Sequence, residues 1–180
     1  MSRVRQAPLP KIALLLRYGA GANYTDCFVF DVDLPVSLSR FVQAFYTTPL
    51  FRMERLILAA AGRPSTDAGP QALAEGKTES FAAWQVEARG PDQVLLQDMT
   101  GRTRSWFMVS ARDDGRSGTC LSFGSAIVAV PGRAGQAATI GPVFRALTGV
   151  HIVYSRALLS AAASRLARQT PGRATTDFAS

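Results

Sequence analysis

His151 is the only histidine in a chain of 180 residues, so any imidazole chemistry must pass through it. It falls at helical spacing with Leu147, Tyr154 and Leu158, on the face of a long helix expected to meet the sheet. A lone histidine on an apolar face reads first as a core or pocket-wall residue. The sharper alternative pairs His151 with Tyr154 as proton-transfer groups. No GxSxG is present to build a nucleophile elbow; Phe123-Gly124-Ser125-Ala126 is the nearest approach and a poor one. One histidine, no HExxH and no carboxylates at ligand spacing argue against metal-assisted hydrolysis. No metal or cofactor is expected.

Arg102, Arg104, Trp106 and Met108 alternate onto one strand face. A guanidinium pair beside an indole can clamp an anionic head group, with Arg104 the expected contact. The plainer reading is a solvated strand end, with Asp98 across the Thr100-Gly101 turn pairing either arginine. Glu79 and Glu87 share a face with Gln85 and Arg89 that reads as solvent. Gly21-Ala22-Asn23 and Gly132-Arg133-Ala134-Gly135 lack the GxxxxGK[ST] pattern of a phosphate loop. Cys27 and Cys120 each lie among apolar residues in strand-like segments and read as buried free thiols; no CxxC motif is present.

The elements that must position these groups follow from periodicity and punctuation. Thr25 to Leu34 reads as a strand with Phe28 and Phe30 on one face and Val29 and Asp31 on the other. Pro35 ends it, and Ser37 is a plausible cap for a helix through Leu38, Phe41, Val42 and Phe45. Thr48 and Pro49 restart a second helix through Leu50, Met53, Leu56, Ile57 and Ala60. Phe41, Phe45, Leu50, Phe51 and Met53 in these helices are either plain core or the closure of one end of a cavity. Residues 62–76 read as a loop. Four period-two segments follow, Thr78–Arg89, Gln93–Met99, Arg102–Arg112 and Gly118–Val130, joined by short turn-forming connectors as an antiparallel meander. Gly124 suggests a bulge or bend. Pro131 to Ala138 is a loop. Gly141 to Arg168 then carries apolar residues three or four apart, with Val143, Leu147, Val150, Tyr154, Leu158 and Ala161 expected to face the sheet. Such a helix would be about 42 Å long.

The formal net charge is +7, with 47% hydrophobic and 18% charged residues, a globular composition. Residues 1–24 carry four basic residues and no acid, and residues 115–180 carry seven against one. Between them, nine basic residues face twelve acids, so the body of the fold is not a basic surface. That distribution, and the absence of RRM, KH, helix-turn-helix and zinc-finger signatures, argue against nucleic acid. Arg3, Arg5 and Lys11 precede an apolar run, Ile12 to Leu16, broken by Arg17 and shorter than the roughly 7–15 residues of a signal-peptide core. A cytoplasmic protein is expected, with a membrane contact at most peripheral, through the N-terminal arm. The expected organisation is an arm over 1–23, one domain over 24–169 and a disordered tail over 170–180.

This order, strand, two helices, strands, long helix, matches the α+β helix-grip arrangement, in which a curved antiparallel sheet wraps around a C-terminal helix. It is one or two strands short; the N-terminal arm or a split of a long segment would supply the difference. Phe81-Ala82-Ala83-Trp84, Arg102 to Trp106, Phe123 to Ala126, and His151 with Tyr154-Ser155-Arg156 also resemble an uncharacterised bacterial family in the START-like (SRPBCC, polyketide-cyclase-like) superfamily. The resemblance implies a helix-grip fold with a deep apolar pocket, and brings no catalytic residues with it. The expected function is therefore to bind a lipid, polyketide or isoprenoid-like molecule between helix and sheet. Trp84, Arg104, Trp106, Phe123, His151 and Tyr154 would line or border the site. The alternatives are a cyclase or hydro-lyase using His151 and Tyr154, and a protein-interaction module with a filled core.

Overall fold

The computed structural model describes residues 3–53, 67, 69–130, 139–140 and 142–169, and of 142–145 and 147 the backbone only. The expected helical residues Leu56, Ile57 and Ala60, the Pro131–Ala138 loop, the 170–180 tail and the side chains of Val143 and Leu147 lie outside the described residues. The fold is α+β: an open antiparallel sheet of seven strands with the C-terminal helix packed on it. The strands are β1 (Arg5–Gln6), β2 (Tyr24–Val32), β3 (Ser80–Phe81), β4 (Trp84–Arg89), β5 (Gln93–Asp98), β6 (Thr103–Ser110) and β7 (Thr119–Ile127). The helices are α1 (Leu38–Tyr46), α2 (Gly69–Ala74) and α3 (Pro142–Arg168). Spatial order is β1-β2-β7-β6-β5-β4-β3, so β3 through β7 form the expected meander and β2 closes onto its far end.

Both expected sources of extra strands contribute. The Thr78–Arg89 segment splits into β3 and β4 at Ala82, whose φ of 53° is the left-handed turn that reverses the chain. The N-terminal segment supplies β1. Residues 14–18 then form a 3-10 helix that lays Leu15, fully buried, over the sheet face opposite α3. An expected loop proves partly helical: α2 interrupts 62–76 and buries Leu73.

Local chemistry explains the boundaries. Ser37 accepts from the Arg40 N–H at 3.3 Å and starts α1. Thr48 accepts from the Phe51 N–H at 3.2 Å, and residues 49–53 are helical. Among the described residues Asp98 forms no ion pair with an arginine side chain; it closes the β5–β6 turn, accepting from the backbone N–H groups of Arg102 and Thr103 at 2.8 and 3.0 Å. Burial alone would raise its carboxyl, but these bonds and the Thr100 hydroxyl together hold it below the ordinary value.

Two cores flank the sheet. On the α3 side Phe41, Phe45, Tyr46, Phe107 and Phe123 pack together with Leu158, Leu159, Ala162 and Leu166. The sheet-facing stripe of α3 is therefore shifted from the expected one. Val150 is 67% exposed, and the fully packed part lies in the second half of the helix. On the far side Leu15, Cys27, Val29, Leu95, Trp106, Met108 and Cys120 form the second cluster. This explains why β7 is buried along its whole length and carries no polar-out alternation.

The bulge expected at Gly124 lies instead in β4, where the register shifts between Val86 and Ala88. Gly124 is in regular register, opposite Cys27 and Trp106. Its role is close approach: a Cβ there would lie 2.8 Å from the Asp26 carbonyl oxygen and 2.9 Å from Leu15 Cδ2. Gly124→Ala should cost about 1–3 kcal/mol through overpacking, read as a lower urea midpoint; an unchanged midpoint would mean that the N-terminal segment does not press on β7.

Cys27 and Cys120 are both free and buried on this far face. Cys27 sits opposite Gly124, four residues along β7 from Cys120, too far for a disulfide. Burial is the main cause that pushes the two thiols up, to about 12 and about 11. At pH 8 a thiol-specific chromogenic reagent should therefore titrate neither native thiol and both after denaturation. Because the folded values exceed the unfolded one of about 8.5, the thiols' contribution is intact below that pH and is lost as pH rises through 11 to 12.

Candidate functional site

Between α3 and the sheet lies a cavity of about 380 Å³. Its walls come from every layer: Phe45 and Tyr46 of α1, Phe51 of the following helical turn, Trp84 of β4, Phe123 of β7 and Tyr154 of α3. Val150, largely exposed, marks where the cavity meets solvent. The aromatic residues of the two short helices thus divide. Phe45 and Phe51 close one end of the cavity, Phe41 is core, and Leu50 and Met53 are exposed.

One wall is polar, and register builds it. Asp26 of β2 lies directly opposite Ser125 of β7, which lies opposite Ser105 of β6. Strand parity aims all three toward α3, on the face carrying Phe28, Phe107 and Phe123. The Ser125 hydroxyl lies 2.6 Å from Asp26 Oδ1, and the Ser125 N–H donates to the same oxygen at 2.9 Å. From α3, His151 Nε2 comes within 2.6 Å of Ser125 Oγ and 3.4 Å of Asp26 Oδ2. Ser155, one helical turn on and 1% exposed, places its hydroxyl 3.4 Å from the same nitrogen. Tyr24 donates its hydroxyl to Asp26 Oδ2 at 3.1 Å, and its ring meets the imidazole edge-on. Burial first, then the Asp26 charge, pushes the Tyr24 phenol up, which keeps it a donor.

Four of the six residues expected at the site line this cavity as side chains around one space: Trp84, Phe123, His151 and Tyr154. Arg104 borders it, but its guanidinium is committed elsewhere. It pairs with Glu87, receives no solvent-facing role, and donates to the Tyr18 hydroxyl at 2.9 Å while lying over that ring. Glu87 is correspondingly no solvent residue. It lies on the sheet face of Gln85, Gln97 and Arg104, against Arg104 and Tyr18.

Trp106 is a correction. It alternates with Ser105 and Phe107, which face α3, so it points into the opposite core, fully buried, with its Nε1 donating to Gln93 Oε1 at 2.8 Å. Gln93 also binds the backbone of Ile12 and Leu14, so Trp106 helps anchor the N-terminal segment.

Sequence reasoning missed Asp26, Ser105, Ser125 and Ser155. A signal existed for Asp26 and Ser125. Period two puts Asp26 on the Phe28–Phe30 face and Ser125 on the Leu121–Phe123 face, where a carboxylate and a hydroxyl need partners.

Among the described residues no group of three His, Cys, Asp or Glu side chains gathers where a metal ion could be held, and no helix is long and apolar enough to cross a membrane. No family model matches this chain, and no curated protein matches it.

Proposed function

We propose that the protein, as a helix-grip domain of START-like type, binds a hydrophobic or amphipathic small molecule, such as a lipid, polyketide or isoprenoid, in this cavity. A cytoplasmic location belongs to the same reading. The observation that carries it is the composition of the walls: aromatic and aliphatic on most sides, with one convergent polar cluster. That is the usual make-up of a small-molecule site. Its 380 Å³ lies toward the lower end of the range of about 300–1,000 Å³ for such sites, which favours a compact ring system or single chain over a two-chain lipid. Apolar walls supply affinity at about 25 cal/mol per Å² of ligand surface covered, and the Ser125–His151 end supplies orientation.

An interaction module with a filled core fits less well, because the interior holds a void. Native mass spectrometry of gently purified protein should show a bound small molecule, or a mass shift on adding an apolar panel. Leu158→Trp, which fills the space from α3, should remove the bound species while leaving the circular dichroism unchanged. A protein that stays unliganded against the whole panel would sink the reading.

A further inference from the structure

A single hydroxyl bridges a carboxylate and an imidazole at the polar end of the cavity, and proton counting fixes the direction of the chain. Ser125 Oγ is 2.6 Å from both Asp26 Oδ1 and His151 Nε2. A carboxylate only accepts, and a hydroxyl has one proton. With Asp26 as a carboxylate, the Ser125 hydroxyl donates to it, and Ser125 Oγ must then accept from an Nε2–H. In the neutral imidazole the proton is thereby held on Nε2, which leaves the lone pair on Nδ1. Among the described residues Nδ1 has no hydrogen-bond partner, and the ring lines the cavity.

The fold itself has no need of this arrangement. A carboxylate on the apolar face of a central strand is costly, and an aliphatic residue would serve the core better. Nor does the geometry suit acyl transfer by Ser125. That residue sits mid-strand between two paired neighbours, and its N–H, the natural oxyanion donor, is spent on Asp26.

We propose that His151 is a general base, acting through Nδ1 on a compact apolar carbonyl compound that carries an acidic C–H, with Ser125 and Asp26 as positioning residues. The proposal rests on the ligand-binding reading. In the step, Nδ1 takes the proton from the carbon beside the carbonyl. The C–H electron pair moves into the enolate, and negative charge gathers on the carbonyl oxygen. The imidazolium so formed keeps its Nε2–H toward Ser125 Oγ, with the Asp26 carboxylate 3.4 Å from that nitrogen. Ser105, cross-strand from Ser125 and with no hydrogen bond to its hydroxyl among the described residues, is placed to hold the oxygen. Return of the proton to a carbon of the same enolate completes an exchange or isomerisation that needs no co-reactant.

The test uses 2-tetralone, a compact apolar ketone, in D₂O. Occupancy is followed by saturation-transfer NMR and deuterium incorporation beside the carbonyl by mass spectrometry. The wild-type protein should accelerate exchange at least about 100-fold over buffer. His151→Gln should return it to the buffer rate with binding retained, and Ser125→Ala or Asp26→Asn should slow it about 10-fold.

The single histidine supplies an independent signature. Its long-range ¹H–¹⁵N spectrum should show only the Nε2–H tautomer in the wild type and a mixture in Ser125→Ala. A ketone that binds yet exchanges at the buffer rate overturns the base and leaves binding intact. Absence of saturation transfer counts against the binding reading instead. The histidine spectrum then decides the relay alone, and a mixed tautomer in the wild type overturns it.

Discussion

Phe45→Ala should cost about 3–5 kcal/mol of folding stability, the largest single loss expected from any substitution in the cavity wall. Phe45 is 2% exposed, and its ring centroid lies 4.6 Å from that of Phe123, 4.9 Å from Phe107 and 5.6 Å from Tyr46. Removing it deletes the hub of the aromatic cluster as well as one buried side chain. Phe123 and Phe107 each lose their closest ring contact. At about 3 °C per kcal/mol for a chain of this size, the melting temperature should fall by about 10–15 °C.

The same ring lines the cavity, so the deletion also adds volume to the binding space. The variant, assayed well below its melting point, should shift its preference in an apolar ligand panel toward bulkier members. Phe45→Leu, nearer in volume, should lose less than half as much stability. A loss below 1 kcal/mol for the alanine variant would mean that these rings do not interlock as described.

Arg104→Met should destabilise the fold by about 2–3 kcal/mol and leave ligand affinity within twofold. The guanidinium is nearly covered, pairs with Glu87, donates to the Gly101 carbonyl at 2.8 Å and lies over the Tyr18 ring at 4.8 Å. Tyr18 completes the group by donating to Glu87 at 2.8 Å, and burial, followed by that bond, pushes its phenol up so that the donor persists. Losing the arginine strands a half-buried carboxylate. The cost falls below the roughly 3–5 kcal/mol of a fully buried pair because Arg17 also reaches Glu87, at 3.2 Å. Glu87→Gln combined with Arg104→Met should recover part of the loss, since no uncompensated charge then remains. Calorimetry and ligand titration on the same samples separate the two effects. A tenfold fall in affinity with an intact fold would restore Arg104 as an anion contact.

What the linear chain determined by itself is local. Period-two alternation separated by Gly90-Pro91-Asp92, Thr100-Gly101 and Asp113-Asp114-Gly115 specifies β5, β6 and β7 to within a few residues. Ser37 and Thr48 specify two helix starts, and three-to-four spacing specifies α3. These features depend on neighbours no more than four residues away, where side-chain spacing and turn chemistry act directly. His151 and Tyr154 were legible for the same reason: both belong to one helix face turned toward the sheet.

The tertiary structure decided everything that depends on register or on distant cover. Trp106 and Arg104 share a strand face, and only docking of residues 3–18 on that face shows it to be a second core and not a ligand wall. Glu87 keeps the face it shares with Gln85, Gln97 and Arg104, and only the cover by Arg17 and Tyr18 turns that face from solvent into a buried ion pair. Asp26 and Ser125 are 99 positions apart, and their hydrogen bond exists because β2 pairs with β7 in one register out of many. A slip of one residue would turn Asp26 to the other face. The polar end of the cavity is thus a product of pairing between strands, which no single stretch of sequence encodes.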